Sequence, residues 1–191
     1  MRISAGQFKG RKIGAKRLFA KKQGKDDLRP TSAKVREAIF DILRGELEGA
    51  SFLDLYAGTG TVGIEAASRG AGSVVFVEAV RSRATAIQSV IDKLGLSSQA
   101  DVYGEAAEVF LQRISRSGES FDIIFVDPPY ESGAIGNILL LIGEYGILHA
   151  QGTVLCEHAT RLKLPETVGN LKLKKHYRYG DTMLALYRKD I

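Results

Sequence analysis

From Ala33 to Leu43, apolar residues fall at Val35, Ile39, Ile42 and Leu43. This stripe of 3.6-residue period behind a Thr31 or Ser32 cap predicts a helix lying on the body of the protein. Next comes a short apolar run, Ser51 to Leu55, then a glycine-rich loop and a helical segment Thr61 to Arg69 closed by Gly70. The same rhythm recurs. Strands are predicted at Ser73 to Val77, Asp101 to Tyr103, Phe121 to Val126 and Thr153 to Cys156. Between them lie helices Arg81 to Leu94 (ended by Gly95), Ala106 to Ile114 and one around Ile135 to Ile142. Strand and helix alternating on this scale build a parallel sheet covered on both faces. Leu171 to Tyr177 and Thr182 to Arg188 instead alternate apolar and polar around Tyr179-Gly180-Asp181, the pattern of an antiparallel hairpin. The expected fold is therefore a doubly wound α/β sheet finished by a hairpin.

At 191 residues the chain has room for one domain and a short appendage. Its 45% hydrophobic and 26% charged residues suit a globule with a substantial core. The single Cys156 can build neither an internal disulfide nor a cysteine zinc site, and its place in an apolar strand makes it a core residue. His149, His158 and His176 lack metal-ligand spacing, so no metal is expected. The longest apolar stretch, Ile138 to Gly143, is far too short to span a bilayer. A cytoplasmic protein with no membrane association, acting as a monomer, is expected.

The net charge of +5 is unevenly spread. Residues 1–36 hold twelve Lys or Arg against Asp26 and Asp27, which leaves the remainder acidic. A basic arm on an acidic body is the footprint of a protein that engages a phosphate backbone, although such runs also serve as solubilising tails. Gly6, Gly10 and Gly14 recur among Ile3, Phe8 and Ile13, which reads as a twisted ribbon. Residues 1–30 are accordingly set apart as a basic extension, and 31–191 as the main domain. Arg161, Lys163, Lys172, Lys174, Lys175 and Arg178 form a second basic cluster.

Two loops carry chemistry. Asp54-Leu55-Tyr56-Ala57-Gly58-Thr59-Gly60 follows a strand and opens a helix, the place where open parallel sheets bind ligands, and Gly63 completes a G-x-G-x-x-G pattern. Glu78 ends the next strand and can accept hydrogen bonds from ribose hydroxyls. A tight turn would need the same glycines. Asp127-Pro128-Pro129-Tyr130 ends another strand. Its prolines remove backbone donors, so the Asp127 carboxylate and the Pro128 carbonyl present only acceptors, suited to gripping an amine, while Tyr130 can stack on a base. A rigid turn is the plainer alternative.

Together these residues resemble the class I S-adenosylmethionine-dependent methyltransferases that act on amino groups. More narrowly, Arg2 to Lys12, Arg29-Pro30-Thr31 with Val35-Arg36-Glu37 and Phe40, Asp54 to Gly60, and Ser68-Arg69-Gly70-Ala71 are similar to the RsmD family over nearly the whole chain. That resemblance implies a Rossmann-like, mostly parallel, seven-stranded sheet. It also implies transfer of a methyl group from S-adenosylmethionine to the 2-amino group of a guanine, position 966 in the standard numbering, of 16S ribosomal RNA in the small subunit or its assembly intermediate. By the same resemblance, Asp54, Gly58 and Gly60 hold the methionine end of the cofactor and Glu78 its ribose, with Tyr56 and Ala57 of the same loop also cofactor-binding. Glu105 and Ala106 stand where such enzymes read the adenine, usually with an Asp. Asp127, Pro128, Pro129 and Tyr130 position the amine. Arg2, Lys9, Arg11, Lys12, Arg29, Thr31 and Arg36 contact RNA. Lys34 stands where relatives often carry Arg, which keeps the charge but not the bidentate geometry.

Three other readings share parts of this pattern. An amino-methyltransferase acting on another RNA or DNA base, or on a protein glutamine, would use the same acceptor loop. A nicotinamide oxidoreductase would use the glycine loop, and a non-catalytic RNA-binding module would use the arm.

Overall fold

The computed structural model describes residues 2–13, 31–129 and 134–190. Helix α1 spans Ala33–Ile42, with the Ser32 hydroxyl accepting from Val35 N–H at its N-cap. Strand β1 (Ser51–Asp54) leads into α2 (Thr61–Ser68), β2 (Ser73–Val77) into α3 (Arg81–Leu94), and β3 (Ala100–Tyr103) into α4 (Ala107–Ile114). Then follow β4 (Phe121–Val126), α5 (Ala134–Tyr145), β5 (Leu148–Ala159), β6 (Thr167–Val168), β7 (Leu171–Tyr179) and β8 (Thr182–Lys189).

All eight strands join one sheet in the order β3-β2-β1-β4-β5-β8-β7-β6. Pairing is parallel from β3 to β5 and antiparallel from β5 onward. The expected doubly wound sheet with a terminal hairpin is present. Among the described residues its strand count is eight rather than seven, because the two-residue β6 adds an edge strand too short to show any alternation. Strand β5 also runs beyond Thr153 to Cys156 at both ends, carried to Ala159 by its antiparallel ladder with β8 and paired at Leu148 with Phe121 of β4.

Successive strand residues feed opposite faces, which is why the inner strands read as unbroken apolar runs. Phe52, Val74, Phe76, Ile123, Phe125 and Leu155 pack under α1, α2 and α3. On the other face Leu53, Val75, Val77, Ile124, Val126 and Cys156 pack under α4 and α5. Cys156 is a buried free thiol of this core.

The described part of the N-terminal arm folds back on itself. Arg2 and Lys12 form an isolated antiparallel bridge, and Ile3 N–H donates to Arg11 O at 3.1 Å. Ile3 and Ile13 are buried in the same core as α1. This loop sits on α2, and Gly6 makes the approach possible: a Cβ there would fall 1.6 Å from the Ser68 carbonyl oxygen.

Candidate functional site

The strand order reverses between β1 and β4, so the loops after these strands diverge and leave a crevice at the carboxyl edge of the sheet. Asp54 ends β1, Glu78 follows β2 and Asp127 follows β4. These three carboxylates, singled out from the sequence, therefore meet at one edge.

Asp54 is buried, and its Oδ2 accepts from Gly63 N–H at 3.0 Å. Burial and the neighbouring Glu78 charge lift its carboxyl to about 7, against the lowering pull of that hydrogen bond. Glu78 clasps the loop: Oε2 accepts from Gly58 N–H and Oε1 from Val80 N–H, both at 2.8 Å, and Arg83 lies 3.7 Å away. Gly58 and Gly60 have positive φ, as this tight loop demands. Gly63 has a different role, because a Cβ there would come within 2.3 Å of the Phe76 ring. That glycine lets α2 lie close on β2 instead of exposing backbone to a ligand. Tyr56 and Ala57 continue the loop, with Ala57 N–H donating to Val77 O at 2.9 Å.

Across the crevice, burial and the charges of Glu157 and Asp54 hold the Asp127 carboxyl well above its ordinary value. Pro128 is buried and Pro129 exposed. A cavity of about 390 Å³ opens here, lined by Asp127, Pro128, Pro129, Ile135, Glu157 and His158, among others. Asp54, Glu78 and Asp127 thus crowd a mostly buried edge. Such a cluster favours a cationic ligand, whose charge would restore the ionised forms of Asp54 and Asp127, and a sulfonium bearing an ammonium group meets that requirement. The residues present fit S-adenosylmethionine.

Other expected site residues are placed differently. Glu105, expected to read an adenine, is held by Arg113 through Nε at 3.1 Å and Nη2 at 2.7 Å. Ala106 caps α4 with no side-chain hydrogen bond. Arg36, expected at the RNA surface, is corrected by the structure. It is buried, with Nε 3.7 Å from Glu65 Oε2 and Nη2 donating to Arg2 O, because α1 turns this position toward the arm and α2. Arg2, Lys9, Arg11 and Lys12 are exposed, and Thr31 is half-buried. Tyr130 and Arg29 lie outside the described residues.

Two features escaped the sequence reading. Glu157 and His158 follow Cys156 in β5, and a charge closing an apolar strand is the same signal that marked Asp54 and Asp127. Glu65, in the middle of α2, is fully buried and anchors the arm. Its carboxylate accepts from Ser4 N–H (3.0 and 3.2 Å), Ser4 Oγ–H (2.5 Å), Ala5 N–H (3.0 Å) and Arg69 Nε–H (3.0 Å). Ser68 adds to the grip: its hydroxyl donates to Ala5 O at 2.7 Å and accepts from Phe8 N–H at 3.1 Å.

Comparison with known proteins gives concordant matches. A family model described as Conserved hypothetical protein 95 matches residues 1–188. The Bacillus subtilis protein YlbH is 36% identical over 189 residues, covering 99% of each chain. An Escherichia coli protein named Ribosomal RNA small subunit methyltransferase D is 30% identical over 192 residues, spanning 100% of this chain and 90% of its own. The solved structure of Escherichia coli yhhF superposes with a TM-score of 0.84 at 27% identity, covering 100% of this chain and 98% of that one.

Proposed function

The chain belongs to the RsmD family of rRNA methyltransferases, described as Conserved hypothetical protein 95, and from that premise we propose that it methylates the exocyclic 2-amino group of a guanine in 16S ribosomal RNA, at position 966. The cofactor is S-adenosylmethionine. The observation that carries the reading is the meeting of the Asp54 and Glu78 carboxylates with the Asp127-Pro128-Pro129 turn across the β1/β4 crevice.

Asp54 and the Gly58 to Gly60 loop would hold the methionine end of the cofactor and Glu78 its ribose. When bound, it supplies an electrophilic methyl group on a sulfonium. The remaining work is positioning. Asp127 and the Pro128 carbonyl accept the two hydrogens of the base amine, which turns its lone pair out of conjugation with the ring. These hydrogen bonds strengthen as the nitrogen becomes cationic, so they act on the transition state more than on the bound substrate, and the surplus proton then leaves the nitrogen to Asp127 or to water. Tyr130, next in sequence, is assigned the face of the base. Arg2, Lys9, Arg11 and Lys12, with Arg29 and Thr31, are assigned to the RNA backbone. The substrate is the small subunit or its assembly intermediate, met in the cytoplasm by a monomer. The 1–30 extension is the RNA-gripping element and 31–191 the catalytic domain.

The test is transfer of labelled methyl from S-adenosylmethionine to small ribosomal subunits from cells lacking the endogenous enzyme, followed by digestion to nucleosides. Label in 2-methylguanosine is expected; label in any other nucleoside, or none despite cofactor binding, refutes the assignment. Asp127→Ala should lower turnover at least ~100-fold with an unchanged circular dichroism spectrum. Near-normal turnover would remove Asp127 from its role.

A further inference from the structure

Glu157 directly follows Cys156, and Cys156 pairs with Val126, the residue before Asp127. The ends of β4 and β5 therefore bring two carboxylates to neighbouring places on the wall of one cavity. Asp127 already has a task in the reading above; Glu157 has none. Its Oε2 is fully shielded and has no hydrogen-bond partner, and no cation pairs with Glu157 among the described residues. Arg161 lines the same cavity without forming such a pair. A shielded carboxylate oxygen without a donor is costly, and its persistence calls for a ligand that brings the donor. His158 lines the same cavity, its Nδ1–H donating to Ala159 O at 3.0 Å. The wall beside Asp127 thus presents a row of two carboxylate acceptors.

The identity of the base follows from that row. In adenine and cytosine the ring nitrogen beside the amine carries a lone pair, which a carboxylate would repel. In guanine that neighbour is N1–H, a donor on the same edge as the 2-amino group. A carboxylate placed beside the amine-gripping Asp127 therefore accepts from guanine and rejects the other two amino bases. We infer that Glu157 is the residue that selects guanine, its carboxylate accepting the N1–H while Asp127 and Pro128 hold the adjacent amine. This rests on the guanine reading above and assigns its specificity to one side chain.

The test uses small subunits reconstituted from 16S transcripts carrying guanine, 2-aminopurine or 1-methylguanine at the target position. 2-Aminopurine keeps the 2-amino group but presents a lone pair at N1; 1-methylguanine blocks that position. The wild-type enzyme should prefer guanine to 2-aminopurine by roughly 10³-fold in kcat/KM, since a site built to receive a donor leaves its buried group unpaired with the analogue. Glu157→Gln keeps the shape, and its amide can donate to N1 of 2-aminopurine while accepting from the amine. In that variant the preference should collapse to about tenfold or less, with affinity for S-adenosylhomocysteine within about threefold of wild type. The intrinsic reactivities of the two amines cancel in this ratio of ratios. A merely structural residue would slow both substrates equally, and an unchanged preference in Glu157→Gln overturns the inference. So does a wild-type enzyme that uses all three bases within tenfold, a result that needs no variant to fold. If the wild type labels a nucleoside other than guanosine, the parent reading has failed and takes this one with it; if guanosine is labelled but the preference ignores Glu157, this inference alone is lost.

Discussion

Replacing Glu65 with Gln removes one negative charge from the centre of the arm's anchorage and leaves the side-chain volume almost unchanged. The carboxylate accepts four N–H or O–H groups, two of them backbone amides of Ser4 and Ala5, and it lies 3.7 Å from the Arg36 guanidinium. The amide offers one oxygen where the carboxylate offers two, so at least one donor loses its acceptor, and Arg36 keeps its charge beside a neutral group. Hydrogen bonds to a charged acceptor contribute about 1.5–3 kcal/mol each, and breaking a buried ion pair from one side costs about 3–5 kcal/mol. These figures overlap rather than add, so a net loss of about 3 kcal/mol is expected. For a chain of this size that lowers Tm by about 6–12 °C. Amide hydrogen exchange reads the location: the amides of Ser4, Ala5, Gln7 and Phe8 should lose protection while those of β1 and β4 keep it relative to the new global stability. Equilibrium unfolding in urea supplies the magnitude. A variant within 0.5 kcal/mol of wild type, with these amides still protected, would refute the claim that Glu65 holds the arm.

Three further outcomes follow, two from a buried charge and one from close packing. The Asp54 carboxyl stands at about 7 in the folded protein against 3.8 for an ordinary one, so the native state holds a proton that the unfolded chain releases. Its contribution to stability is complete below about pH 4 and is lost as pH rises toward 7. A cationic cofactor favours the ionised Asp54 carboxylate, so calorimetric affinity should rise with pH up to about 7 and then level; Asp54→Asn should weaken binding and flatten both profiles. Gly63→Ala forces a methyl group into the Phe76 ring and should destabilise by about 1–3 kcal/mol in urea unfolding. An effect below 0.5 kcal/mol would mean that the ring moves aside freely.

The alternation of elements was legible because buried parallel strands are short apolar runs and the helices between them keep a clean period. The end of α3 fell where Gly95 adopts a left-handed conformation. What escaped was structure made by partners distant in sequence. Strand β5 extends through His149, Ala150 and Gln151, which are exposed and carry no strand pattern of their own. Asp54, Glu78 and Asp127 were visible as charges closing apolar runs; Glu157 carries the same mark but sits outside any glycine or proline loop. Nothing local distinguishes Glu65 from a solvated helical glutamate, because its burial arises only when Ser4 and Ala5 fold over it. Arg36 misleads for the same reason. Its charge suggests a surface contact, while the helix turns it toward Glu65.

The eight residues of α2 have the Gly58 to Gly60 loop at one end, while the arm docks from Glu65 to Ser68, about 6–11 Å further along a rigid axis. That makes the helix a gauge. On the proposed function, one jaw is the crevice that would hold the cofactor and the other the exposed Arg2, Lys9, Arg11 and Lys12 that would meet phosphate. An RNA would then close both only if its target base and its backbone are separated by the length the helix dictates. On that proposal, part of the choice of substrate becomes a measurement of distance, made before any base is read.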